Sequence, residues 1–313
     1  MKKIRAIFFW TPQLSADILN YLLDSNIIEI VAVVSNPDAT GGRGHTLLQS
    51  PVTLLAQIRN IPLLQPKKVR NNPEFLEAIT ALKPDICLVV AYGKILPQEL
   101  LDIPTMGFLN VHTSLLPKYR GAAPIQHALL NGEKITGLTI MQMSLWMDEG
   151  DILIQELWEV WETDTTWTLF QKTGERAGLL LVEAVQELNS GTLTPQKQDD
   201  TESTYTKYIE KTDGEIKPDW TLDHTYHAWQ AYTPWPGLSA FFWETKITLH
   251  SISKHTEKHS DTPLSWSTNE WLPAVALSDG YLIIRELTPA GKKRMSGEDF
   301  VRGFMGKSNE CIS

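Results

Sequence analysis

Lys3-Ile4-Arg5-Ala6-Ile7-Phe8-Phe9-Trp10-Thr11-Pro12 opens the chain with an apolar run that stops on a threonine and a proline. The run does not alternate, so it reads as a strand buried on both faces, as in a parallel sheet. Thr11-Pro12 fits a helix cap followed by proline at the first helical position. Leu14, Ile18, Leu19, Leu22 and Leu23 then fall on one helical face. The basic residues Lys2, Lys3 and Arg5 have the look of a leader, but the apolar stretch behind them is too short for one.

Working outward, further strands are expected at 28–35, 62–65, 85–91 and 107–112, with helices near 48–58, 73–81, 97–101 and 124–130. Strands at 136–143 and 152–160 and a long helix over 166–189 follow, ended by Ser190-Gly191. Strands alternating with helices predict an α/β, Rossmann-like and mostly parallel sheet with helices on both faces. Residues 190–206 are rich in Thr, Ser, Gln and Asp and read as a linker. Beyond a helix near 222–232 and Thr233-Pro234-Trp235-Pro236-Gly237, short strand-like runs occur at 239–243, 246–252, 273–277 and 281–287. They predict a small β-barrel, OB-like in size. The expected organisation is therefore a catalytic domain over 1–189, a linker over 190–206 and a β-rich domain over 207–313.

Composition bounds the function. The 313 residues are 42% hydrophobic and 21% charged, in the range of a water-soluble globular protein, and no apolar run is long enough to span a membrane. Cys87 and Cys311 lack metal-ligand spacing; Cys87, inside Ile86-Cys87-Leu88-Val89-Val90, reads as a core thiol, and the low cysteine content fits a reducing cytoplasm. The net charge of −9 argues against a binder that relies on an overall positive field, though not against a local basic patch. A monomer is expected.

Leu109-Asn110-Val111-His112-Thr113-Ser114-Leu115-Leu116-Pro117-Lys118-Tyr119-Arg120-Gly121-Ala122-Ala123-Pro124 carries the chemistry. A strand ends there in polar residues, and ligands of open parallel sheets bind beyond such ends. Asn110 and His112 are two apart and share a strand face, which sets an amide donor beside an imidazole. Met147-Asp148-Glu149-Gly150-Asp151, between two strands, supplies a carboxylate within reach of that ring. Singly, each residue has a bland reading: a structural histidine, a capping asparagine, a turn aspartate. Ser114 is a tempting nucleophile, but no nucleophile elbow surrounds it.

Asn110-Val111-His112-x-Ser114-Leu115-Leu116-Pro117, Arg120-Gly121-x-x-Pro124 and Asp148-x-Gly150-Asp151 together resemble the folate-dependent formyltransferases. Pro234-Trp235-Pro236 and Pro289-Ala290-Gly291-Lys292-Lys293 are similar to segments of the members that act on tRNA. The resemblance implies 10-formyltetrahydrofolate as donor and the α-amine of methionine on initiator tRNA as acceptor. It implies Asn110, His112 and Asp148 as the catalytic set. Asn110 and a protonated His112 would hydrogen-bond the formyl oxygen as charge develops there. Val89, Val90, Ala91 and Tyr92, with Ser114, Leu115, Leu116 and Pro117, would line the folate and formyl cleft, and Leu115–Arg120 would form the wall between folate and acceptor. Arg43, in the loop 36–51, and Lys207, Lys211, Lys292 and Lys293 would contact tRNA, and no metal is called for. Gly41-Gly42-Arg43-Gly44 is neither a P-loop nor a dinucleotide fingerprint, so a mobile surface loop is the competing reading there. Two departures stand out: His45-Thr46 where relatives carry lysines, and Trp10 where they carry glycine. Trp10 implies either a rearranged turn or a ring that covers part of the cleft. The same core would also serve formylation of a nucleotide amino sugar or another small amine, and a non-enzymatic folate or RNA binder has no need of the trio.

Overall fold

The computed structural model describes residues 2–10, 14–41 and 46–306; the expected cap Thr11-Pro12, Arg43 and Cys311 lie outside them. Two compact units interleave along the chain. One comprises residues 1–124, 135–159 and 170–206, and the other 125–134, 160–169 and 207–313.

The first unit is built on seven strands: β1 (Ile4–Trp10), β2 (Ile28–Ser35), β3 (Leu63–Leu64), β4 (Ile86–Val90), β5 (Phe108–His112), β6 (Ile135–Gln142) and β7 (Ile152–Glu159). Their order across the sheet is β7-β6-β5-β4-β1-β2-β3. The first five are parallel, whereas β6 and β7 run antiparallel to their neighbours. Every residue of β4 is buried, as the unbroken apolar run requires. The chain winds outward from β1 through β2 to β3, then returns to β1's other side with β4. The carboxyl ends of β1 and β4 thus form a topological switch point, where loops diverge and leave a crevice. Helices α1 (Leu14–Asp24), α2 (Pro51–Ile58) and α3 (Pro73–Leu82) link these strands. The α2 helix starts on Ser50, whose hydroxyl accepts from the Thr53 amide, and α3 starts on Asn72, which accepts from Phe75; both carry proline in the first turn.

Under one face of the sheet Ile7, Phe9, Val34, Ile79, Cys87, Val89 and Phe108 form a core. The Phe9 ring lies 5.5 Å from that of Tyr92 and 5.3 Å from that of Phe108. Cys87 is fully enclosed, and burial pushes its thiol well above the ordinary range, as befits an inert core residue. Trp10 is also fully buried, so its ring packs inside the unit and presents no surface to a cleft.

The second unit carries α4 (Leu222–Tyr232) and an antiparallel sheet of β8 (Leu238–Phe242), β9 (Thr245–His255), β10 (Trp266–Asn269), β11 (Leu272–Leu277) and β12 (Gly280–Pro289), ordered β8-β9-β12-β11-β10, with Met295–Ser296 paired to β12. Among the described residues, backbone pairing does not join the two outer strands of this sheet. A bond from the Trp266 indole to the Phe241 carbonyl, at 2.8 Å, joins the outer strands instead. The β10 strand was not legible beforehand, because Trp266-Ser267-Thr268-Asn269 has no apolar alternation. Among the described residues no helix is long and apolar enough to cross a membrane.

Phe9 sits centrally in the first unit's core, so Phe9→Ala should cost about 3–5 kcal/mol through lost burial and a residual cavity. Urea unfolding followed by circular dichroism measures it; a loss below about 1 kcal/mol would show a surface-like position.

Candidate active site

Asn110 and His112 lie at the carboxyl end of β5, and Asp148 reaches the His112 ring there. This strand lies between β4 and β6, with Asn110 opposite Val89 and Met141, and His112 opposite Thr139. Leu109 and Val111 are buried on one face of the strand, and Asn110 and His112 alternate with them on the face that Phe108 shares. The Asn110 side-chain amide has no hydrogen-bond partner among the described residues and is partly exposed. His112 is 5% exposed. Its Nε2 lies 2.9 Å from the Tyr119 carbonyl, an acceptor only, so Nε2 carries a proton. Its Nδ1 faces Asp148 Oδ2 at 3.6 Å. The imidazole and carboxylate expected to meet from separate loops do so.

The loop after β5 is fastened from below. Thr139 Oγ1 donates to the Ser114 carbonyl at 2.7 Å and accepts from the Leu116 amide at 3.2 Å. Gln155 Nε2 donates to both Thr139 Oγ1 and the Leu116 carbonyl, each at 2.9 Å. Ser114 is fully buried, and its hydroxyl donates to the Lys118 carbonyl at 2.7 Å. It has no surface to offer a substrate and braces the loop, the structural role its sequence setting favours, rather than lining the cleft. Leu116 is buried as well, whereas Leu115 and Pro117 are partly exposed. Val89, Val90 and Tyr92 are buried, and only Ala91 of that group is exposed.

Backbone in the left-handed region clusters at this mouth: Ala91 (φ 49), Tyr119 (φ 62), Gly121 (φ 100), Ala123 (φ 57) and Asp148 (φ 58). For residues with a Cβ that conformation costs on the order of 1–2 kcal/mol each, and it persists only where surrounding contacts over-determine it. At Asp148 one contact is plain, since Oδ2 accepts from the Gly121 amide at 2.8 Å. Leu145, Trp146 and Met147, just ahead of it, are all exposed.

Arg120 turns inward and is 1% exposed. Its Nε and Nη2 donate to Gln198 Oε1 at 3.0 and 2.9 Å, Nη2 to Asp200 at 2.7 Å, and Nη1 to the Tyr205 hydroxyl at 3.1 Å. Burial opposes its charge, but the bonds to Asp200 and Tyr205 outweigh that and raise its pKa further. Glu149 accepts from the Tyr205 hydroxyl at 2.9 Å and lies 3.8 Å from Arg120 Nη1, so it belongs to this network. Gln198, Asp200 and Tyr205 all come from the stretch that composition marks as a linker. That stretch is structured: Tyr205–Thr206 pairs in parallel with Arg120–Gly121, and Gln196 bridges Ile152. Sequence reading found Arg120 through its motif but missed the other three, for which no local signal exists.

Lys207, Lys211, Lys292 and Lys293, in the second unit, are all exposed; the last two sit in the turn after β12, where Gly291 takes φ 75. Among the described residues no group of three or more His, Cys, Asp or Glu side chains is placed to hold a metal ion.

Comparison with known proteins adds to this geometry. Residues 2–185 match the formyl transferase family and residues 208–305 the formyl transferase C-terminal domain. A methionyl-tRNA formyltransferase of Caldicellulosiruptor saccharolyticus is 36% identical over 98% of this chain and 99% of its own length. Its counterpart in Acidobacterium capsulatum is 38% identical, over 96% of each. Among solved structures, WlaRD, a sugar 3N-formyl transferase determined with dTDP and 5-N-formyl-THF, superposes with a TM-score of 0.66 at 16% identity, over 94% of this chain and all of its own. At that identity the likeness speaks for the fold alone.

Gly150 tests the rigidity of the Asp148 loop. A Cβ there would lie 1.6 Å from the Gln142 carbonyl oxygen, in the backbone of β6, which cannot yield cheaply. Gly150→Ala should lower the melting temperature by several degrees, at about 1–3 kcal/mol for overpacking. A crystal structure of the variant should show the His112–Asp148 spacing longer than 3.6 Å. An unchanged melt with unchanged spacing would contradict this account.

Proposed function

This chain belongs to the formyl transferase family, and from that premise we propose that it moves a formyl group from 10-formyltetrahydrofolate to the α-amine of methionine esterified to initiator tRNA. The product, N-formylmethionyl-tRNA, is the one that starts translation. The observation that carries the site reading is the His112–Asp148 contact, made between the end of β5 and the loop after β6, with Asn110 two residues before His112 on the same strand face.

A folate would lie at the switch point, beyond the carboxyl ends of β1 and β4. The buried Val89, Val90 and Tyr92 make a solid floor, while Ala91, exposed and left-handed, breaks the strand and turns backbone groups outward. The exposed Leu145, Trp146 and Met147 supply an apolar wall for a flat ring. Leu115 and Pro117 would separate donor from acceptor. When bound, the folate supplies an activated formyl group and a nitrogen leaving group.

The residues of this chain do the rest. As the neutral amine attacks the formyl carbon, Asn110 donates to the formyl oxygen, where negative charge grows. A preorganised donor of this kind contributes roughly 3–4 kcal/mol in the transition state. For His112 we infer an indirect role in place of the direct bond expected from sequence. Nε2–H is held by Tyr119 and Nδ1 faces Asp148, so the ring acts through its charge when Nδ1 also carries a proton. Asp148 has one oxygen on Gly121 and His112, and its other is left to take the proton the attacking nitrogen must lose. The bond to the acceptor nitrogen forms, the bond to the donor nitrogen breaks, and a proton returns to the latter. No covalent enzyme intermediate is needed.

In this reading residues 1–189 carry the chemistry, 190–206 join, and 207–313 hold tRNA. Residues 207–313 contain 12 Lys and Arg against 14 Asp and Glu, so binding there rests on local patches rather than overall charge. Lys207, Lys211, Lys292 and Lys293 are the contacts we assign to phosphates, and Arg43 joins them on family resemblance. The enzyme would work as a monomer in the cytoplasm.

Formylation of methionyl-tRNA is the direct test. Asn110→Ala, His112→Ala and Asp148→Ala should each lose at least ~10²-fold in turnover; near-normal rates in all three would refute the assignment. Faster formylation of a nucleotide amino sugar than of methionyl-tRNA would move the acceptor to that class. The paired change Lys292→Glu with Lys293→Glu should raise KM for tRNA, leave kcat near normal, and reduce the slope of binding against salt by about 1–2. An unaltered salt slope would remove those lysines from the interface.

A further inference from the structure

We propose that Gln198, working with the buried Arg120, is a positioning residue that fixes the Asp148 carboxylate opposite His112. The inference rests on the reading of the site given above.

Gln198 uses its whole hydrogen-bonding capacity within one circuit. Its Oε1 accepts from Arg120 Nε at 3.0 Å and from Arg120 Nη2 at 2.9 Å. Its Nε2 donates to the carbonyls of Asp148 and Gly150, each at 2.7 Å. Two lone pairs and two N–H groups are thus all spent. The amide can sit only this way round, because a flipped group would set N–H against guanidinium and oxygen against two carbonyl oxygens.

The circuit closes on Asp148 from both ends. Gln198 holds its backbone carbonyl, while Gly121, the residue after Arg120, donates its amide to the Asp148 carboxylate at 2.8 Å. Asp148 is left-handed at φ 58, a conformation its loop would abandon without such grips. The next residue is held too, since the Tyr205 hydroxyl donates to Glu149 at 2.9 Å. The strap that brings these groups is itself fastened. Its Gln196 exchanges both backbone bonds with Ile152 at 2.8 Å, and Thr204 accepts from the Arg120 amide through its carbonyl, and from the Tyr119 amide through its hydroxyl, each at 2.8 Å. Tyr119 is the residue whose carbonyl holds His112 Nε2. One strap therefore sets the His112 side of the pair through Thr204 and the Asp148 side through Gln198.

The consequence is kinetic. A displacement of about 1 Å in a reacting group can cost 10²-fold, so loosening Asp148 should lower turnover without weakening substrate binding. Gln198→Glu keeps the size and the Arg120 contact, but sets a carboxylate oxygen against two carbonyls; Gln198→Met keeps the bulk and removes every bond. The full-length chain should lose about 10- to 100-fold in kcat in both variants, with KM for methionyl-tRNA and for the formyl donor within about twofold of wild type. The ¹⁵N signals of the His112 ring should shift in both, in the direction seen in Asp148→Asn. Full kcat with unshifted His112 signals would overturn the proposal. So would a fall in melting temperature with kcat and KM worsening together, which marks a structural staple. Should His112→Ala prove fully active while the ring signals still move in the Gln198 variants, the catalytic reading fails and the positioning stands.

Discussion

A guanidinium buried to 1% exposure is the constraint around which the site arranges itself. Removing such a charge from water is costly unless anions and acceptors surround it. Arg120 meets that need with a carboxylate, a carboxamide and a phenol drawn from residues 198–205, and a second carboxylate, Glu149, stands nearby. The cation therefore gathers a distant stretch of chain and lays it across the loop that bears Asp148. Breaking one partner would strand a charge, so the network holds as a whole or not at all.

That arrangement answers a problem the sheet alone leaves open. The sheet can present Asn110 and His112 on one face of β5, because strand periodicity does so at no added cost. It cannot present Asp148, which lies between two antiparallel strands and points wherever its loop sends it. The left-handed Tyr119 and Asp148 show that both loops are held away from relaxed backbone, and the grips that hold them come from outside the sheet. Stability here is spent on fixing a carboxylate, which fits an electrostatic site whose rate depends on preorganisation.

The elements that were legible in the sequence have a period or a cap of their own. Strand β4 announces itself as an unbroken apolar run, β1, β2 and β5 as largely apolar ones, and α2 and α3 by a polar cap followed by proline. Asn110 and His112 could be paired from spacing alone, and Asp148 joined them through its motif. What escaped was long-range. The antiparallel sense of β6 and β7 depends on partners rather than on residues 135–159 themselves, and β10 owes its place to pairing with β11. The Thr-, Ser- and Gln-rich composition of 190–206 is the same whether such a segment floats or is clasped, and only a buried arginine 78 residues away decides between them. The bond from His112 Nε2 to the Tyr119 carbonyl escaped for a similar reason, since that carbonyl arrives through a turn that spacing does not forecast.

The strap also has a direction. It leaves α-helical chain at Ser190, clasps the His112 and Asp148 loops over residues 196–206, and continues without a break into Lys207, where the longest segment of the unit to which tRNA contacts are assigned begins. A fold shared with sugar transformylases needs some device by which one catalytic core serves different acceptors, since the core itself says little about what is formylated. In the proposed reading, one chain segment positions the carboxylate and then continues into the unit assigned to tRNA: Thr204 accepts from the Tyr119 amide and Tyr205 donates to Glu149, three and two residues before Lys207.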